Sequence, residues 1–226
     1  DAIDAYVCVS GAVQASLLAR FPHLAPKAVR IYNLIQPEGM RARAAEAPDP
    51  FGLAGDQVGP RVLSVCRLQE SQKALLRMVE VHQRLLDAGI RHEWHVLGDG
   101  PDRFLLERAI AERGASGTFI LHGAVANPFP WYAHADLVAM LSRYEGLCGV
   151  VNEARVLERP VIATRFAGVE EQIESGVNGL IVEQETDAIV SGMRRLLLDP
   201  ALRSRLAAGG YPEALMDDGA KIDALL

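Results

Sequence analysis

The stretch Asp136-Leu-Val-Ala-Met-Leu-Ser-Arg-Tyr-Glu-Gly-Leu-Cys-Gly-Val-Val-Asn-Glu-Ala-Arg-Val-Leu157 divides near its middle into two elements of different kind. Leu137 to Leu141 is a continuous apolar run and reads as a short buried strand. Gly149 to Leu157 reads as a helix that opens on a glycine. Glu145 therefore sits on the loop at the carboxyl end of a strand. Glu153, eight positions on, lies one turn inside the following helix. In open α/β sheets, ligands bind in the crevice beyond the carboxyl ends of the strands. A helix N-terminus adds N–H groups and a positive dipole end that favour an anion. Strand, acid-bearing loop and helix together describe a ligand site in a parallel α/β sheet.

Outward from that stretch the same alternation recurs. On the N-terminal side, Arg61-Val-Leu-Ser-Val-Cys66 reads as a strand, Lys73 to Ala88 as a helix stopped by Gly89, and His95-Val-Leu97 as a strand ending in Gly98-Asp-Gly-Pro. Asp102 to Arg113 reads as a helix, Phe119 to Leu121 as a strand and Pro130 to His134 as a short helix. On the C-terminal side come strands at Val161 to Ala163 and Leu180 to Val182, then a helix to Leu198 with Thr186 as its cap. Apolar strands alternating with helices predict a doubly wound parallel sheet, Rossmann-like, over residues 61–226. Before it, Gln36 to Pro60 is rich in Pro, Gly, Ala and Asp, and residues 38–60 are expected to be a linker. Residues 1–37 read as strand, helix and strand (Ala5 to Ser10, Val13 to Arg20, Ala28 to Tyr32), the remnant of a preceding α/β domain.

Composition narrows the function classes. The chain has 226 residues, half of them hydrophobic, and a formal net charge of −6. That charge argues against a nucleic-acid partner, which needs a basic face. A phosphate ligand is compatible with it, because a few local cations can hold one. No apolar run approaches the ~18 residues that span a membrane. The three cysteines have no metal spacing and suit a reducing cytoplasm, the expected location. The first residue is Asp1 rather than Met, so a piece of a longer protein is expected. Asp-x-Asp, Gly-x-Gly-x-x-Gly after a strand, and a Walker lysine loop are all missing, which disfavours metal-held diphosphates, NAD-dependent dehydrogenases and P-loop enzymes. No metal and no cofactor are expected.

An ordered set of motifs runs through the chain: Val65-Cys-Arg-Leu68 with Lys73, Val96-Leu-Gly-Asp-Gly-Pro101, Ser142-Arg-Tyr-Glu-Gly146, Glu153-Ala154, Arg159-Pro-Val-Ile-Ala-Thr164, Gly168-Val-Glu-Glu171 and Gly176-Val-Asn-Gly-Leu-Ile-Val182. In order and spacing the set resembles the retaining, nucleotide-sugar-dependent glycosyltransferases of the two-domain GT-B fold, the family often called group 1. The resemblance extends from about Ala5 to Pro200 and implies the C-terminal, donor-binding domain, preceded by the closing part of an N-terminal, acceptor-binding domain.

What the resemblance implies can be set beside the residues. Breaking the bond between a sugar and a nucleotide diphosphate builds charge on the leaving group, and fixed cations stabilise it. Arg67 and Lys73 stand where the family binds the diphosphate; some relatives place the lysine at the position of Gln72. An Arg–Lys pair on a loop is ordinarily a solvated pair, and it is the full series that lifts these two above that. Glu153 takes the role of ribose acceptor and Glu145 that of contact with the donor sugar, with Gly146, Leu147, Cys148 and Gly149 beside the sugar and Val150 beside the nucleotide. Gly98 and His122 fall beside the nucleotide by position. The catalytic set is thus Glu145, Arg67 and Lys73. The expected partners are a nucleotide-sugar donor, a glycan or lipid-linked acceptor and the rest of an N-terminal domain. A lipid-linked acceptor would bring the full protein to the membrane periphery. Two rivals stand beside this reading: a sugar-nucleotide epimerase, and a non-enzymatic sugar-nucleotide-binding module.

Overall fold

The computed structural model describes residues 3–52, 59–212, 215 and 218–223. The chain begins with β1 (Tyr6–Cys8), α1 (Gly11–Arg20) and β2 (Ala28–Arg30), the two strands paired in parallel with Tyr6 opposite Ala28. The Ser10 hydroxyl accepts from the Val13 N–H at 3.1 Å and caps α1. Next comes α2 (Pro37–Ala44), inside the stretch expected to be a linker. Proline at its first position is a helix-start signal that the Gly- and Ala-rich composition obscured. Its Ala44 packs with buried side chains of the main sheet, so this part of residues 38–60 is docked structure. Residues 53–58 of the expected linker lie outside the described residues.

The main sheet has six strands: β3 (Arg61–Val65), β4 (Glu93–Leu97), β5 (Phe119–Gly123), β6 (Leu137–Met140), β7 (Val161–Thr164) and β8 (Leu180–Val182). They lie in the order β5-β4-β3-β6-β7-β8, every pair parallel. The connecting helices are α3 (Glu70–Lys73), α4 (Leu75–Asp87), α5 (Arg103–Glu112), α6 (Phe129–His134), α7 (Gly149–Val156) and α8 (Thr186–Leu198), with α9 (Pro200–Ala207) and α10 (Asp218–Asp223) at the end. Successive strand residues point to opposite faces. Val62 and Ala139 join Leu75, Leu106 and Ile189 beneath α4, α5 and α8. Leu63 and Val138 join Tyr132 and Val151 beneath α6 and α7. Both faces are covered, which is why the strands read as continuous apolar runs rather than alternating ones. The order reverses between β3 and β6, and there their carboxyl ends open the crevice of a doubly wound fold.

Two local expectations are corrected, and one helix is added. The helix expected over Lys73 to Ala88 breaks at buried Ala74, which takes a left-handed conformation (φ 53°). Such a residue costs roughly 1–2 kcal/mol. Glu70 offsets it by capping the new helix start, its carboxylate accepting from the Leu76 N–H at 2.9 Å. Lys73 therefore ends a short helix instead of opening a long one. Thr186 is the first residue of α8 rather than its cap, which is Glu185. A further helix, α9, follows Leu198; the Asp199 carboxylate accepts from the Leu202 N–H at 2.8 Å, and Pro200 pre-sets its first turn.

Candidate functional site

The loop after β3 and the loop after β6 face each other across the switch point. Cys66 continues the β3 ladder by donating to the Leu97 carbonyl at 3.0 Å, so Arg67 projects just beyond the pleat from an exposed position. Close approach of β4 to this loop requires glycine at position 98. Gly98 has φ 130°, and a Cβ there would fall 1.9 Å from the Cys66 carbonyl oxygen. On the opposite wall α7 opens at Gly149, with Val150 and Glu153 on its cleft side. The cleft between has a volume of ≈ 480 Å³ and is lined by Arg67, Gln72, Lys73, Gly98, Val150 and Glu153, among others.

Each acid is already held. Glu145 pairs with Lys73 at 2.5 Å and accepts from the Gln72 amide at 3.3 Å, with both charged side chains mostly buried. Glu153 accepts from the hydroxyl of fully buried Tyr132 at 2.6 Å. Burial, reinforced by the Glu153 charge, drives the Tyr132 phenol well above its ordinary range, so Tyr132 remains a donor. Lys73 thus bridges the two loops, while Tyr132 fixes the carboxylate on α7.

The remaining residues singled out from sequence lie around this cleft rather than on its lining. Gly146 faces the N-terminal segment, where a Cβ would stand 3.4 Å from Val9 Cγ2. Leu147 and Cys148 are buried, and Gly149 is exposed at the first position of α7. Burial first, then the Glu145 charge, pushes the Cys148 thiol up to about 12, so it stays protonated near neutral pH. His122 stacks on His95 (ring centroids 5.2 Å apart) and packs on Trp131 at 4.2 Å. Burial lowers both histidines to about 4, so both are neutral near pH 7. Among the described residues, no group of three or more His, Cys, Asp or Glu is placed to hold a metal ion, and no helix is long and apolar enough to cross a membrane.

Sequence reasoning did not assign Tyr132, nor the part played by Gln72. Tyr132 lies 21 positions before Glu153 on a different helix, and no spacing rule links them. For Gln72 a signal existed, since it adjoins Lys73 on the same loop.

Comparison with known proteins bears on family and fold. Residues 59–199 match the profile of a family described as "Glycosyl transferases group 1". The chain is 33% identical over 174 residues to the alpha-D-kanosaminyltransferase of Streptomyces kanamyceticus, covering 76% of this chain and 44% of that protein. It is 31% identical over 153 residues to the lipopolysaccharide core biosynthesis glycosyltransferase LpsE of Rhizobium meliloti, covering 67% and 44%. It therefore spans less than half the length of these relatives. In three dimensions it is similar to Anabaena HepE in complex with UDP and glucose, with TM-score 0.82, 19% identity, and coverage of 99% of this chain and 63% of that one. It is also similar to Staphylococcus aureus TarM in complex with UDP, with TM-score 0.80 and 19% identity over 98% of this chain and 42% of that one. At such identity the structural likeness speaks to the fold. The profile match over most of the chain speaks to kinship: this chain belongs to the group 1 glycosyltransferases.

Proposed function

We propose that this chain is the donor-binding half of a retaining glycosyltransferase, which moves a sugar from a nucleotide diphosphate to an acceptor hydroxyl. The observation that carries the proposal is the cleft at the β3–β6 switch point, where Arg67 and Lys73 stand on one wall and Glu153 on the other. In this reading Arg67 and Lys73 hold the diphosphate and stabilise its charge as the glycosidic bond breaks. Glu153, oriented by Tyr132, accepts from the ribose diol. Lys73 exchanges Glu145 for phosphate when the donor enters, and the released carboxylate meets hydroxyls of the sugar beside Gly146 to Gly149. Gly98, His122 and Val150 border the nucleotide. The departing phosphate takes the acceptor's proton as the acceptor attacks from the same face, so configuration is retained and no metal is assigned. HepE and TarM, each in complex with UDP, support a nucleoside diphosphate as the ligand class.

Titration calorimetry of UDP, GDP and ADP against the wild type and Arg67→Ala tests the site. Loss of one charge-assisted contact costs about 1.5–3 kcal/mol, or about ten- to a hundredfold in affinity. Equal affinity in both proteins would refute the role of Arg67. We further propose that the acceptor, glycan or lipid-linked, binds an N-terminal domain of which β1, α1 and β2 are the close, and that the whole protein works in the cytoplasm, at the membrane where the acceptor is lipid-linked. The 226-residue chain should then bind donor without transferring sugar, because positioning both substrates supplies on the order of 7–11 kcal/mol of barrier reduction. Incubation with nucleotide sugars and simple acceptors checks this, and turnover near ~1 s⁻¹ would overturn it. The relatives' names are those of transferases, so the epimerase reading is not favoured.

A further inference from the structure

The short turn after β7 touches two helix starts that belong to distant parts of the chain. Gly168 opens it in a left-handed conformation (φ 87°), and a Cβ there would stand 3.2 Å from Ala12 Cβ. The Glu171 carboxylate accepts from the Gly11 N–H at 2.8 Å and the Ala12 N–H at 3.0 Å, the first two residues of α1. It also accepts from the Tyr32 hydroxyl at 2.9 Å. Gln172, with no exposed surface, turns the other way. Its oxygen accepts from the Cys148 N–H at 3.0 Å, while its nitrogen donates to the Cys148 carbonyl at 2.8 Å and to Asn152 Oδ1 at 2.5 Å. Cys148 is the residue from which α7 starts.

The two chemistries are not interchangeable. Three donors converge on position 171, which suits an acceptor-only carboxylate. Position 172 meets a donor and two acceptors, which only a carboxamide satisfies at once. Burial alone would raise the Glu171 carboxyl, but the two amides, Tyr32 and the neighbouring Arg30 outweigh it and hold the group below the usual range, so it is ionised at the positive end of α1.

We infer that Glu171 and Gln172 are positioning residues that form a two-sided bracket, fixing the nucleotide-facing start of α7 against α1 so that ligand at one is felt at the other. The inference rests on the donor-binding reading for the identity of that ligand. The loop that leads into α7 supports the coupling, because Gly146 on it faces the same N-terminal segment: a Cβ there would stand 3.4 Å from Val9 Cγ2 and 3.6 Å from Val13 Cγ2. An ordered α7 start therefore offers α1 a fixed seat, and a displaced α1 disturbs the sugar side of that wall.

Two near-isosteric swaps separate the arms, read by amide hydrogen exchange on the 226-residue chain with and without UDP. Without ligand, Glu171→Gln should speed exchange at Gly11 to Val13 about tenfold and leave Cys148 to Val151 unchanged. Gln172→Glu, which sets a carboxylate against the Cys148 carbonyl, should do the reverse and weaken UDP binding about tenfold. In the wild type UDP should slow exchange at α1 as well as α7, and in Glu171→Gln at α7 alone. UDP binding with no change at α1, or swaps that loosen both helices equally, would overturn the bracket. Absence of UDP binding by the wild type would instead defeat the donor-binding reading, and the ligand-free pattern would still decide the bracket.

Discussion

Tyr132→Phe removes one atom from the site and leaves the packing of the ring intact. Tyr132 is fully buried on the inner face of α6, packed with the buried residues of α7, and its hydroxyl donates to Glu153 Oε2 at 2.6 Å. Deleting one hydrogen bond to a charged group costs roughly 1.5–3 kcal/mol. Glu153 is only half-buried, so water recovers part of this, and a loss of about 1–1.5 kcal/mol in stability is expected. The effect on ligand is separate. An untethered carboxylate must be ordered when the ribose arrives, at about 0.5–1.5 kcal/mol for one side chain, so a nucleoside diphosphate should bind roughly three- to tenfold more weakly. Urea titration and calorimetry on Tyr132→Phe, Glu153→Ala and the double variant measure both. In the Glu153→Ala background the hydroxyl has lost its buried acceptor, so removing it should cost nothing or stabilise the fold. If Tyr132→Phe costs the same in both backgrounds, within about 0.5 kcal/mol, then Tyr132 does not act through Glu153 and the reasoning fails.

Two further outcomes concern the scaffold. Gly98→Ala places a methyl 1.9 Å from the Cys66 carbonyl oxygen at φ 130°, so strain and backbone displacement should cost more than about 3 kcal/mol and weaken nucleotide binding; a urea midpoint near wild type would refute it. Buried His82 stands 2.8 Å from His92, which in turn bonds the Ile90 carbonyl through Nδ1, so His92 Nε2 must be the acceptor and the His82 Nδ1–H the donor. Burial, then repulsion by His92, lowers His82 from 6.5 to about 3. As pH falls below 6.5 the unfolded chain takes up a proton that folded His82 refuses, so stability declines from there and levels off near pH 3. At pH 5 this one group should remove about 2 kcal/mol relative to pH 7.5, read from urea midpoints as the part of the acid loss that His82→Gln takes away.

The elements around Glu145 and Glu153 were legible in the sequence because the forces that shape them are local. An apolar run covered on both faces must be a buried strand, and a glycine-opened periodic run after it a helix, so β6, α7 and their two acids could be placed from order alone. The same holds for β8, observed over the expected Leu180 to Val182. What the sequence could not decide is which side chains meet once β6 lies beside β3 instead of following β5. That strand order puts Lys73 on Glu145, 72 positions away, and Tyr132 on Glu153. The seating of the separate β1–α1–β2 unit on the turn after β7 puts Glu171 at the start of α1, 160 positions away, where a sequence reading finds only one more acid in an acidic chain. The break at Ala74 belongs to the same class, because left-handed alanine is unfavourable locally and persists only where Glu70 and a buried seat hold it. Cys148 follows the same logic: as a residue type it suited the sugar pocket and the core equally, and the packing of α7 on β6 and β7 put it in the core. Secondary structure answers to neighbours along the chain, whereas the partners of each polar group answer to the topology that folds distant loops onto one crevice.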